Sequence, residues 1–146
     1  MSICRRRCRE SGSSRFCGIV SVEEGIRDIG EGINDIEEGL NDIEERNFRE
    51  GIRDIEEGIG DIREGSRDIL LGIRDFNGRR RREIREGLGD IEEGIRDIEE
   101  GLRDICRGRV REGENDIREG LRDITEGLED IIEALEMNDN CNCNCR

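Results

Sequence analysis

The sequence predicts an all-α fold of amphipathic heptad-repeat helices, arranged as two tandem helical hairpins in a four-helix, coiled-coil-like array. Three observations predict it. The first is a seven-residue phrase: residues 23–43 read EEGIRDI, GEGINDI, EEGLNDI, and the phrase recurs to about Met137. Labelled e-f-g-a-b-c-d, it places apolar residues at steps of three and four, a helical stripe rather than the alternation by two of a strand. A strict period of seven with Ile and Leu at a and d is the pattern of a coiled-coil seam. The second observation is that the register breaks at 44–47 and again at 106–109. The third is that displacing the sequence by 62 residues lays it on itself without a gap, Val22 on Ile84, Ile43 on Ile105, Ile69 on Ile131, with the two breaks coinciding.

Each segment follows in order. Residues 1–21, MSICRRRCRESGSSRFCGIVS, show no period and are expected to form a flexible basic tail bearing Cys4, Cys8 and Cys17. Ser21 to Glu24 has the S-x-x-E form of a capping box, which is expected to start the first helix. The first hairpin is expected over 22–76. From Ile43 to the matching Ile55 the stripe turns by roughly 150° relative to the seam, so a continuous rod would present its apolar edge to water. A turn at 44–47 avoids this, and Asn47-Phe48-Arg49-Glu50 repeats the capping arrangement of Ser21 to Glu24. Asn77-Gly78 is a turn dipeptide and opens an Arg-rich linker, 77–83. The second hairpin is expected over 84–137, broken at 106–109. Residues 138–146, NDNCNCNCR, form an Asn/Cys tail. A long kinked rod-like coiled coil is the alternative architecture.

The expected assembly seam is Ile26, Ile29, Ile33, Ile36, Leu40 and Ile43 in the first block, and Ile52, Ile55, Ile59 and Ile62 in the second. It continues through Ile91, Ile95, Ile98, Leu102 and Ile105, then Leu121, Ile124, Leu128 and Ile131. Ser66 and Glu114 interrupt it at a positions. Position g is glycine throughout: Gly25, Gly32, Gly39, Gly51, Gly58, Gly65, Gly72, Gly87, Gly94, Gly101, Gly113, Gly120 and Gly127, with Ala134 last. Each glycine inside a helix costs about 1 kcal/mol relative to alanine, so isolated helices of this composition are not stable in water. A stripe bare of side chains admits close approach of a neighbouring backbone, and the dispersion and apolar burial gained there offset the cost. Replication slippage is the plainer account of the same glycines. On the outer face, Glu at f and Asp at c with Arg at b place pairs such as Glu23 with Arg27 at i,i+4, a solvated face.

Composition excludes several functions. With 44% charged and 2% aromatic residues the chain would read as disordered without its period. A net charge of −14 repels nucleic acid and anionic membrane surfaces, and the arginine runs carry no interleaved aromatic residues to stack on bases. Their better use is contact with the acidic helical faces of a neighbouring molecule. A lipid-coating role is disfavoured because the polar face is acidic and tryptophan is absent. No apolar run is long enough to span a membrane, and 18–20 is too short for a signal peptide. The protein is therefore expected to be made in the cytoplasm, with an outer spore or surface layer reached by assembly or lysis as the alternative. Histidine is absent, and the carboxylates are periodic and solvated, without the differing environments that separate an acid from a base. No catalytic residue is expected.

Cysteine is the reactive feature. Cys4, Cys8 and Cys17 stand near one terminus, Cys141, Cys143 and Cys145 near the other, and Cys106 in the second break. None lies in the apolar stripe. Neighbouring thiols at i,i+2 do not readily bond one another, so disulfides between molecules are expected, joining or anchoring subunits. Zn or Cu on the terminal cysteines is the competing reading, and free thiols in a reducing cytosol are a third. Arg5 to Arg7 favour the thiolates of Cys4 and Cys8. With CRRRC at one end and CNCNCR at the other, the chain resembles, in style, the cysteine-tailed low-complexity proteins of bacterial spore coats and other cross-linked surface layers. The expected function is that of a structural, self-assembling protein whose subunits associate through the Ile/Leu seam and Gly stripe and are cross-linked or anchored by their terminal cysteines, with its own copies and other Cys-containing structural proteins as partners. A thiol-rich metal-binding or redox-responsive module on a helical scaffold is the alternative.

Overall fold

The computed structural model describes residues 14–136, with the side chains of 14–20 and of Asp75 outside that description. The described residues form four helices and no strand: α1 Ser14–Glu44, α2 Phe48–Gly72, α3 Gly78–Cys106 and α4 Val110–Glu136. α1 pairs antiparallel with α2, and α3 with α4, so Gly25 faces Gly65 and Gly39 faces Gly51, while Gly87 faces Gly127 and Gly101 faces Gly113. The chain turns back at both register breaks, which excludes the extended rod.

Both turns close in the same way. Arg46 N donates to Ile43 O and Asn47 N to Asp42 O at 3.0 and 2.7 Å; Gly108 N donates to Ile105 O and Arg109 N to Asp104 O at 3.0 and 2.8 Å. These are the two backbone bonds of a Schellman motif, whose penultimate position needs a left-handed residue. Gly108 supplies it at φ 85° and Arg46 at φ 72°.

Three expectations about boundaries are corrected. α1 begins at Ser14, seven residues before the expected cap at Ser21. The heptad phase explains this, since it runs backwards through Gly18 at g to Val22 at d, and Val22 is fully buried. Asn47 makes no side-chain cap bond, its φ of −87° and ψ of 66° lying outside the extended conformation usual for a capping residue. The arginine-rich segment after Asn77 is helix rather than linker: Asn77 Oδ1 accepts from Arg80 N at 2.9 Å, and arginine is a strong helix former. The connection between the helix pairs shortens to a 3-10 turn, Ile73–Asp75, then Phe76 and Asn77 in extended conformation.

The core is one continuous cluster of aliphatic side chains. Ile29, Ile36, Ile43, Ile55, Ile62, Ile98 and Ile124 are fully buried, as are Ile69, Ile73, Ile84 and Ile117, which complete the seam expected from the sequence. Ile26, Ile52 and Leu128 are half-buried. The stripe divides into two interfaces. Position d packs with g inside each helix pair, whereas a positions such as Ile52, Ile59 and Leu102 line the boundary between the pairs.

Candidate functional site

The glycine rows are where backbone meets backbone. A Cβ built on Gly32 would stand 2.6 Å from the Gly58 carbonyl oxygen and 2.6 Å from Ile62 Cγ1; one on Gly39 would stand 2.6 Å from Gly51 O and 2.7 Å from Ile55 Cγ1. In the second pair, Gly94 is likewise 2.5 Å from Gly120 O and 2.7 Å from Ile124 Cγ1. Contacts below 3 Å leave no room for a methyl group. Apart from Gly72, each g glycine from Gly25 to Gly127 thus receives the d isoleucine of the facing helix, and the arrangement is reciprocal, Gly58 receiving Ile36 as Gly32 receives Ile62. Gly30, Gly60 and Gly89 lie outside this row and meet nothing within 4 Å.

The same approach brings the c aspartates into opposition. Asp35 Cβ lies 3.3 Å from the Cβ position of Gly58, and Asp116 Cβ 3.2 Å from that of Gly101. Desolvation, then the facing Asp61, raises the Asp35 carboxyl above its ordinary range. Desolvation with Asp54 does the same for Asp42, and desolvation with Asp104 for Asp116. The regular c position implies these oppositions only when the g row is an antiparallel contact.

Between the pairs the contacts are made by side chains. Arg63 Nη2 donates to Glu99 Oε1 at 2.5 Å, joining α2 to α3, and the Arg118 guanidinium pairs with Glu44, joining α4 to α1. Arg118 also lies 3.9 Å from Glu114, so this a-position carboxylate stands half-buried near the start of α4 with a cation in reach. Ser66, the other polar a residue, has a buried hydroxyl with no hydrogen-bond partner. A groove of about 480 Å³ opens between α2 and α3, floored by Ile52, Ile59 and Leu102 and rimmed by Glu56, Arg103 and Cys106.

The arginine run has a use within the chain. Arg80 donates from Nε to Ala134 O at 3.1 Å and from Nη2 to Leu135 O at 2.5 Å, while its guanidinium lies 5.3 Å from the Phe76 ring centroid. Arg81 Nη1 donates to Arg74 O at 3.3 Å. These two residues are thus engaged within the chain. Arg80 satisfies carbonyls at the end of α4, where a cation also complements the helix dipole.

Cys106 is exposed and unbonded at the last residue of α3, beside the second tight turn. Both tight turns lie at one end, as the pair Arg118–Glu44 and the shared groove of Ile52 and Cys106 require. The chain enters α1 and leaves α4 at the other end, roughly 40 Å away along α3. Cys4, Cys8, Cys141, Cys143 and Cys145 lie outside the described residues, and Cys17 falls in α1 with its side chain outside the description. Among the described residues, no three His, Cys, Asp or Glu side chains come together as a metal site would need, and no helix is long and apolar enough to cross a membrane. Searches against protein-family models, curated proteins and solved structures found no match to the chain.

Proposed function

We propose that this protein is a structural component that joins copies of itself, or other cysteine-bearing structural proteins, through disulfides. The single observation that carries the reading is the distribution of thiols over the bundle. In sequence, Cys4, Cys8 and Cys17 stand before or at the start of α1 and Cys141, Cys143 and Cys145 follow α4, while Cys106 is exposed beside the turn that joins α3 to α4. Five residues after Glu136, Cys141 reaches at most about 18 Å, and Cys143 about 25 Å, which even with a disulfide's own span of about 6 Å is short of the roughly 40 Å to Cys106. A disulfide at Cys106 with either of these thiols thus joins separate molecules, and a rod with thiols at both ends propagates. The described glycine row and the d isoleucines are occupied inside each helix pair, so the joining of copies falls to the thiols and not to the Ile/Gly seam. A cross-linked spore coat or surface layer is the setting such a component suits.

Sizing with light scattering of purified protein, oxidised and then reduced, tests this. Oxidised wild type is expected to give a ladder of multimers that collapses on reduction, and Cys106→Ser to stop at clusters joined at one end. A monomer carrying chelator-removable Zn or Cu, with no disulfide-linked species, would replace the proposal with the metal-binding module.

A further inference from the structure

We propose that the aspartates facing one another across each helix pair, Asp35 with Asp61, Asp42 with Asp54 and Asp116 with Asp104, form an acid-sensitive clasp that holds the pairs more tightly at mildly acidic than at neutral pH. The geometry follows from the glycine contacts. Carbonyl oxygens and d isoleucines fill the space beside the facing g glycines, such as Gly32 with Gly58 and Gly101 with Gly113, so the helices sit at a separation fixed by backbone. The c residues flank that contact on the face away from the other helix pair, and antiparallel pairing opposes like with like. The Cβ atoms of Asp28, Asp35, Asp90 and Asp116 lie 3.1 to 3.3 Å from the Cβ positions of the facing glycines. The carboxylates therefore start from Cβ atoms held close to the backbone contact.

What surrounds them adds to the opposition. Asp35 meets Asp61 and Glu57 from α2 and Glu38 on its own helix. Asp42 meets Asp54 and Glu50 from α2 and Glu45 from the turn. Asp116 meets Asp104 and Glu100 from α3 and Glu119 on its own helix. Arg53 stands 3.9 Å from Asp54, and among the described residues Asp35, Asp42 and Asp116 are in no ion pair within 4 Å. Two carboxylates at one contact cannot both ionise freely, and the pair retains a proton, as a hydrogen bond between them, to higher pH than either would alone.

The direction in pH follows from linkage. A carboxyl whose proton is held more tightly in the folded chain stabilises the fold when protonated. That contribution is complete below about pH 4, the ordinary aspartate range, and is lost as pH rises through the raised folded value. Acidification also lowers the net charge of −14, which would stabilise any chain of this composition, so the test must separate the two effects. Urea midpoints of the full chain under reducing conditions at about pH 5 and about pH 7 are compared for three proteins. These are wild type, Asp35→Asn/Asp42→Asn/Asp116→Asn, and the charge-matched control Glu64→Gln/Glu93→Gln/Glu126→Gln, whose sites lie at f positions on the outer face.

Wild type is expected to have the higher midpoint at the lower pH. The asparagine variant is expected to lose most of that response and to exceed wild type at neutral pH, while the glutamine control keeps the wild-type response. An asparagine variant with the full response, or a control flattened equally, would overturn the clasp. Carbon-13 titration of the wild-type Asp35, Asp42 and Asp116 carboxyls gives a second reading that needs no variant. Midpoints inside the ordinary aspartate range would overturn it as well.

Discussion

A single methyl group distinguishes the two kinds of glycine in these helices. Gly89, exposed at a b position, meets nothing within 4 Å, whereas a Cβ on Gly94 would stand 2.5 Å from the Gly120 carbonyl oxygen and 2.7 Å from Ile124 Cγ1. Gly89→Ala is therefore expected to stabilise by about 1 kcal/mol through helix propensity alone. Gly94→Ala gains the same propensity but forces two backbones apart and is expected to destabilise, overpacking costing about 1–3 kcal/mol. Urea unfolding of the two variants under reducing conditions compares the signs, and equal stabilisation would refute the backbone contact. The turns offer a second comparison at this scale, because the duplication placed Arg46 and Gly108 in the same left-handed position. Arg46→Gly is expected to raise stability by about 0.5–1 kcal/mol and Gly108→Ala to lower it by a similar amount, since a Cβ in that conformation costs about 1–2 kcal/mol before the unfolded-state entropy of glycine is set against it. Thermal melts of both variants check the pair.

Along a helix, the heptad letters translate into unequal burial. Ile98, at d, is fully buried and seats its Cγ1 against Gly120, whereas Ile26, at a near the start of the first pair, is only half-buried. Ile98→Ala is expected to cost about 3–4 kcal/mol and Ile26→Ala about 1 kcal/mol, measured as differences in urea-unfolding free energy. The helices, the antiparallel pairing and the two turns were legible from the period of seven and its breaks. The division of labour between a and d was not, because a heptad assigns both to one stripe; only the glycine at g, nearer to d than to e on the helix wheel, hints that the closest neighbour lies on the d side. The start of α1 at Ser14 was legible in principle from Gly18 and Val22, but the capping box at Ser21 drew the boundary inward. The helical state of 78–83 is not legible locally, because Asn77-Gly78 is a turn signal that competes with the helix propensity of the arginines, and because the carbonyls of Ala134 and Leu135 that hold Arg80 are distant in sequence.

Across the whole molecule the two helix pairs are copies, and their differences lie where the copies diverge. The 62-residue displacement carries Glu44 onto Cys106 and Glu56 onto Arg118. On one side, Arg118 pairs with Glu44 and ties α4 to α1; on the other, the equivalent residues are Glu56 and Cys106, and they rim the open groove between α2 and α3. The duplicated period could not disclose this asymmetry, since the two positions matter only after the pairs have been set against one another. It does indicate how the groove would close. Glu56→Arg with Cys106→Glu copies the α1–α4 ion pair onto the α2–α3 side, at e positions that flank the same a-residue floor of Ile52, Ile59 and Leu102. Cys106→Glu adds a negative charge to a rim that already carries Arg103 and Arg107, and Glu56→Arg reverses a charge on the rim that carries Arg63. The double variant is expected to be more stable than the sum of the singles by about 0.2–1 kcal/mol, the range of exposed ion pairs. That coupling should shrink as salt shortens the screening length to about 3 Å at 1 M. A double-mutant cycle from urea unfolding at low and high salt measures both quantities, and additive singles at low salt would mean that the two sides of the bundle are not equivalent in geometry despite their common sequence.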